Sequence, residues 1–227
     1  GLVIQSDGGA QPLHVNIPPT SDGSFTLAAR IEGDKWVASP LPNDGLRKKH
    51  GLQGPIDDAF MDSFIFVRPT GTAANEKAGA WAKSEMERAI EHWRRHFRGE
   101  ARVKNDTEIT DADIASANLV LWGDPSSNAM MAKVTPKLPI TWTGSEIKAG
   151  TKTFPAADHA LICIYPNPLN PKRYVVLNSS FTFREYDYLN NARQTPKLPD
   201  WAVIDLKTPP NSRYPGAIPA ADFFGEK

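Results

Sequence analysis

A single cysteine, Cys163, stands in 227 residues. One thiol makes no internal disulfide and builds no cysteine-based zinc site. Its place in the apolar run Ala160-Leu161-Ile162-Cys163-Ile164 predicts a buried core thiol. The compartment stays open on this ground, because secreted proteins without disulfides are common. Charge of one sign is also lacking: Lys+Arg and Asp+Glu number 26 each. No net field draws the chain to nucleic acid or to an anionic membrane, so neither is expected as a partner. The basic triplet Arg47-Lys48-Lys49 reads as a solvated loop, since nucleic-acid binding rests on many phosphate contacts. No apolar stretch approaches the roughly 20 residues of a membrane span, and no secretory leader is visible. The start at Gly1-Leu2-Val3-Ile4, without Met, reads as that of an excised or processed piece.

Several catalytic signatures are missing. There is no G-x-S-x-G nucleophile elbow, no G-x-x-x-x-G-K-[ST] and no G-x-G-x-x-G. Nucleotide binding by those routes is not expected, and no cofactor is implied. Ser126 and Ser127 follow a strand, but Pro125 precedes them and no glycine frames them, so helix capping is the preferred reading. His92 and His96 have the spacing of a zinc-binding helix, but Trp93 stands where that motif needs Glu. A boundary role on the helix is preferred over a metal site.

What is present is a core-forming chain with stiff connections: 40% hydrophobic residues and 20 prolines, about twice the usual share. Residues 1–62 read as a small β-rich segment, with strands from Ser24 to Ile31 and from Lys35 around a Glu32-Gly33-Asp34 turn. Residues 63–227 read as an alternation of strands and helices. Strands are expected at Phe64–Val67, Ala101–Lys104, Asn118–Trp122, Leu138–Ile140, Ala160–Tyr165, Tyr174–Leu177 and Trp201–Leu206, with an excursion from Glu146 to Phe154. Helices are expected from Asn75 to Phe97, from Thr110, through Val134, and from Phe181 to Arg193. This alternation predicts an α/β domain, a mainly parallel open sheet with helices on both faces in the flavodoxin or Rossmann manner.

In such a sheet, ligands bind beyond the carboxyl ends of the strands. Those positions hold Arg68, Thr70 and Gly71, then Asp124, Ser126, Ser127 and Asn128, then Tyr165 and Asn167, then Asn178 and Ser179. They would suit a polar ligand such as a sugar or peptide, with Arg68 pairing a carboxylate or phosphate. The competing reading is that Asn, Ser and Gly are simply turn formers. The adjacent carboxylates Asp57 and Asp58 would suit a cation or acid/base chemistry, or equally a turn at a helix start.

Several segments taken together carry a resemblance. They are Leu46 through Phe60, Val67-Arg68-Pro69-Thr70-Gly71, Leu119 through Asn128, Tyr165 through Pro171, and Leu198 through Asp205. Over about residues 45–225 the chain resembles the C-terminal region of large bacterial proteins in which an α/β-hydrolase or prolyl-oligopeptidase-like esterase domain comes first. The resemblance carries no catalytic residues. It implies a non-catalytic accessory domain, partnered with an upstream hydrolase domain of the same polypeptide, in a protein exported from the cytoplasm. Two other readings stand beside it: an independent hydrolase working through Asp57, Asp58 or Asp124 with Arg68, and a structural or assembly module.

Overall fold

The computed structural model describes residues 1–5, 11–16, 21, 23, 25, 27–39, 48–184 and 197–225. The chain divides into two units, Gly1–Gly45 and Leu46–Lys227. In the first, β1 (Leu2–Ile4) pairs antiparallel with β2 (Leu13–Val15), and β3 (Ala28–Glu32) with β4 (Lys35–Ser39). Glu32 pairs with Lys35, which leaves Gly33-Asp34 as a two-residue hairpin turn.

The second unit is built on a seven-stranded sheet. Its strands are β5 (Phe64–Arg68), β6 (Val103–Asn105), β7 (Asn118–Leu121), β11 (His159–Asn167), β12 (Asn170–Leu177), β13 (Trp201–Asp205) and β14 (Ala217–Asp222). They lie in the order β14-β13-β11-β12-β7-β5-β6. A second, three-stranded sheet comprises β8 (Thr141–Trp142), β9 (Glu146–Ala149) and β10 (Lys152–Pro155). The helices are α1 (Glu76–Phe97), α2 (Asp111–Ser116) and α3 (Ala129–Val134).

The expected α/β architecture is corrected here. The domain is mostly β, with three α-helices among the described residues, and its main sheet is mixed. Strands β5, β6, β7 and β12 are parallel, but β11 is antiparallel to both β12 and β13, and β14 is antiparallel to β13. The physical reason lies in the connections. A run of apolar residues states that a strand is buried on both faces, not which way it points. Asn167 pairs with Asn170, so Pro168-Leu169 closes a tight hairpin where a parallel pair would need a long crossover. Between β7 and β11 the excursion expected from Glu146 to Phe154 is part of a small antiparallel sheet, in which β9 alternates exposed and buried side chains. The strand expected at Leu138–Ile140 falls instead at Thr141–Trp142. Phe181–Arg184 is not helical, and the rest of the helix expected there lies outside the described residues.

Alternation along the strands gives the sheet two cores. Phe64, Phe66, Val120, Trp122 and Ile162 face α1 on one side. Ile65, Val67, Leu119, Leu121 and Cys163 face α3 and the small sheet on the other. The α1 stripe of Ala82, Met86 and Ala89 is buried, and the helix stops at Arg98, which takes a left-handed conformation and donates its N–H to the Arg94 carbonyl. Phe181 and Phe183 follow β12 and pack on the same face as α1, stacking on each other with ring centroids 4.4 Å apart.

A buried ion pair fastens that segment to the helix. Arg184 donates to the carboxylate of Glu85 on α1 and to the Asn211 carbonyl at 3.1 Å, and both side chains of the pair are buried. Removing one partner strands a charge away from water, whereas replacing both with apolar groups leaves none. Glu85→Ala should therefore lower stability in urea denaturation by about 3–5 kcal/mol, while Glu85→Met with Arg184→Met recovers most of that loss. A single-variant loss under about 1 kcal/mol, the range of exposed pairs, would show that the bridge is not buried in solution.

Candidate functional site

The carboxyl ends of β5, β7 and β12 meet at one edge of the main sheet, which will be called the upper edge. Asp124, just beyond β7, is buried. Its Oδ2 accepts the Ala74 N–H at 2.8 Å, and its Oδ1 accepts those of Ser126 and Ser127 at 3.1 and 2.8 Å. It therefore ties the loop leading into α1 to the loop leading into α3. Asn128 is fully buried and makes four bonds. Its Nδ2 donates to the carbonyls of Val67 and Trp122, and its Oδ1 accepts the N–H groups of Met130 and Met131. Asn128, rather than Ser126 or Ser127, is thus the N-cap of α3.

Asn178 follows β12 in a left-handed conformation, with φ of 51°. Its amide bonds both backbone groups of Gly123 and the Leu161 carbonyl. Gly123 is itself required: φ is 104°, and a Cβ there would meet Ser127 Oγ at 2.5 Å. The polar cluster is thus real as a neighbourhood, but Asp124, Asn128 and Asn178 direct their hydrogen bonds to backbone. They frame the edge rather than face a ligand.

What does face open space is a cleft of about 490 Å³ between α1 and these strand ends. Arg68, Lys83 and Glu87 stand on its walls, and Met86, Ile90 and Trp122 supply apolar surface. Among the described residues neither Arg68 nor Lys83 forms an ion pair. The buried indole N–H of Trp122 has no hydrogen-bond partner. Thr70 and Ser126 are exposed on the neighbouring loops and do not line the cleft. Lys83 and Glu87 escaped the sequence reading because they flank the α1 stripe that was read as core. Their spacing from Ala82 and Met86 was the available signal.

The remaining candidates lie elsewhere. Asn167 sits in the β11–β12 hairpin at the opposite, lower edge, where its Oδ1 accepts the Leu169 N–H at 2.9 Å. Asp57 and Asp58 lie in a 3-10 turn, Ile56–Phe60, ahead of β5, and part from each other. Asp57 accepts the N–H and hydroxyl of Thr182, whereas Asp58 accepts the hydroxyl of Tyr174. They share no ligand position with each other or with Asp124. Tyr165 lies within β11, and its ring meets Phe224 edge-on at 5.3 Å. His92 and His96 lie with ring centroids 5.7 Å apart, and His96 stacks on Phe181. Among the described residues no group of three or more His, Cys, Asp or Glu side chains could hold a metal ion. Cys163 is buried, and burial pushes its thiol pKa well up. Comparisons with protein-family models, curated proteins and solved structures find no match to the chain.

Two measurements check the roles of these buried groups. Asn128→Ala removes a cap and leaves the buried Trp122 carbonyl without its donor, so it should cost about 2–3 kcal/mol in urea denaturation. A cost below about 1 kcal/mol would show that the frame does not depend on it. Asp57 is the pH-sensitive member. Burial raises its pKa above 3.8, and the Thr182 hydrogen bonds pull it partly back. The folded chain therefore keeps the proton to higher pH than the unfolded chain, so stability falls as pH rises through that interval. The stability of Asp57→Asn relative to wild type should grow from about pH 3 upward and then level off. A difference that shrinks with rising pH would overturn the assignment.

Proposed function

We propose that residues 46–227 form a non-catalytic binding domain, accessory to a hydrolase domain of the same polypeptide, in a protein that works outside the cytoplasm. The upper-edge cleft seats a polar ligand, a sugar or peptide carrying a carboxylate or phosphate. One observation carries the binding reading: Arg68 and Lys83, both donors without partners among the described residues, line one cleft beside the apolar surface of Met86, Ile90 and Trp122. A set of donors beside apolar surface suits an acceptor-rich anion with an apolar body. The carboxylates that would serve a hydrolytic reaction are engaged elsewhere, Asp124 by three backbone N–H groups and Asp57 by Thr182. The accessory role and the location rest on the resemblance of residues 45–225 to the region downstream of esterase-like domains.

Binding of peptides with a free C-terminal carboxylate, their amidated counterparts, and acidic and neutral oligosaccharides tests the reading by calorimetry. Carboxylate forms should bind at least tenfold more tightly than amides, and Arg68→Ala or Lys83→Ala should each remove about tenfold. Equal affinity of wild type and both variants for every ligand overturns the cleft. Ester or glycoside hydrolysis by the isolated chain that disappears in Asp58→Ala overturns the non-catalytic reading.

A further inference from the structure

A second pocket lies at the lower edge of the sheet, apart from the cleft. It is lined by Gly54, Tyr165, Tyr174, Asp200 and Phe224, with Lys48 at its side. Asp200 immediately precedes β13 and is only 2% exposed. Its Oδ2 is engaged twice, by the Lys48 ammonium at 2.5 Å and by the Phe224 N–H at 2.9 Å. Its Oδ1 is buried and has no hydrogen-bond partner. That oxygen lies against Gly54, where a Cβ would come within 2.2 Å of it and where φ is +72°, so only glycine fits beside it. A buried carboxylate oxygen without a donor is costly and calls for an explanation.

The surroundings indicate which donor fits. The walls are aromatic: Tyr165, Tyr174 and Phe224. A cation already uses this chemistry, since the Lys48 ammonium sits on Asp200 and 5.1 Å from the ring centre of Phe223. Behind the wall, Tyr174 accepts the Gly54 N–H at 3.0 Å and donates its hydroxyl to Asp58. Asp58 and Asp200 together outweigh Lys48, so the pocket keeps negative charge. Divalent metals need several oxygen ligands at once, and no such group occurs among the described residues. Carboxylate plus aromatic faces is instead the usual recognition of an organic ammonium ion. The volume is about 60 Å³. At roughly 10–15 Å³ per water-sized atom, that admits about four to six such atoms.

We propose that this pocket binds a small primary alkylammonium ion, which donates to Asp200 Oδ1 and packs its alkyl chain on Tyr165 and Phe224. Lys48 holds the other carboxylate oxygen and weakens the binding by like-charge repulsion.

The test is an NMR titration of the full chain with propylammonium chloride at constant ionic strength, with 1-propanol and propionate as isosteric controls. The expected result is saturable shifts of the Tyr165 and Phe224 ring signals by propylammonium alone, with Kd on the order of 1–10 mM. Asp200→Asn should weaken binding about tenfold or more. Lys48→Met, which leaves Asp200 in place, should tighten it severalfold, and Tyr165→Leu should weaken it. Equal shifts with 1-propanol, no saturation with propylammonium, or unchanged affinity in Lys48→Met and Tyr165→Leu would overturn the proposal and leave Oδ1 as a site for water alone.

Discussion

One buried amide holds the upper edge of this domain together. Asn128 donates to two carbonyls near the ends of neighbouring strands, at Val67 in β5 and at Trp122 just past β7, while accepting the first free N–H groups of α3. Without it the Trp122 carbonyl would lose its donor, the Val67 carbonyl would keep only the Trp122 N–H, and the first N–H groups of the helix would have no intrahelical partner. Because the side chain is fully buried, water does not substitute for it. Asn178 and Asp124 extend the same logic to β12 and to the loop before α1. The result is a rigid frame of three loops, fixed by side-chain-to-backbone bonds with each partner satisfied.

That frame decides what is free to act. A side chain whose donors and acceptors are engaged by backbone neither abstracts a proton nor binds a ligand without breaking the fold. The groups left over at the cleft are those the frame does not use: Arg68 at the end of β5, with Lys83 and Glu87 on the side of α1. At the lower edge the buried Asp200 Oδ1 and Asn167 Nδ2 are without partners among the described residues.

Much of the second unit was legible in the sequence because burial writes itself as composition. The runs at Phe64–Val67, Asn118–Trp122, Ala160–Tyr165 and Trp201–Leu206 fall on strands. The spacing of Ala82, Met86 and Ala89 marks α1. Strand direction was not legible, because it is set by connections. Pro166-Asn167-Pro168-Leu169-Asn170 closes a hairpin between two runs that would suit a parallel sheet equally well. Strand β14 was missed since Ala217–Asp222 is only partly buried and interrupted by Pro219, leaving little apolar signal. For the candidate site, the sequence singled out loops that the structure brings to one edge, but not the hydrogen-bonding roles within them. It placed Asn128 among ligand contacts because a buried cap and an exposed donor have the same composition. It overlooked Lys83 and Asp200, whose importance depends on partners distant in sequence.

The acidic pair shows why adjacency in sequence is poor evidence for shared chemistry. In a 3-10 turn, successive side chains point about 120° apart, so Asp57 and Asp58 must diverge. One turns inward to Thr182, on the segment that packs with α1, and the other meets Tyr174 on β12. Carboxylates that cooperate in hydrolysis need a common position between them for substrate or water. Here each is closed by its own donor, and each closure joins the turn to a different part of the domain. The pair therefore serves as a brace under β5, each carboxylate holding a different segment against the turn.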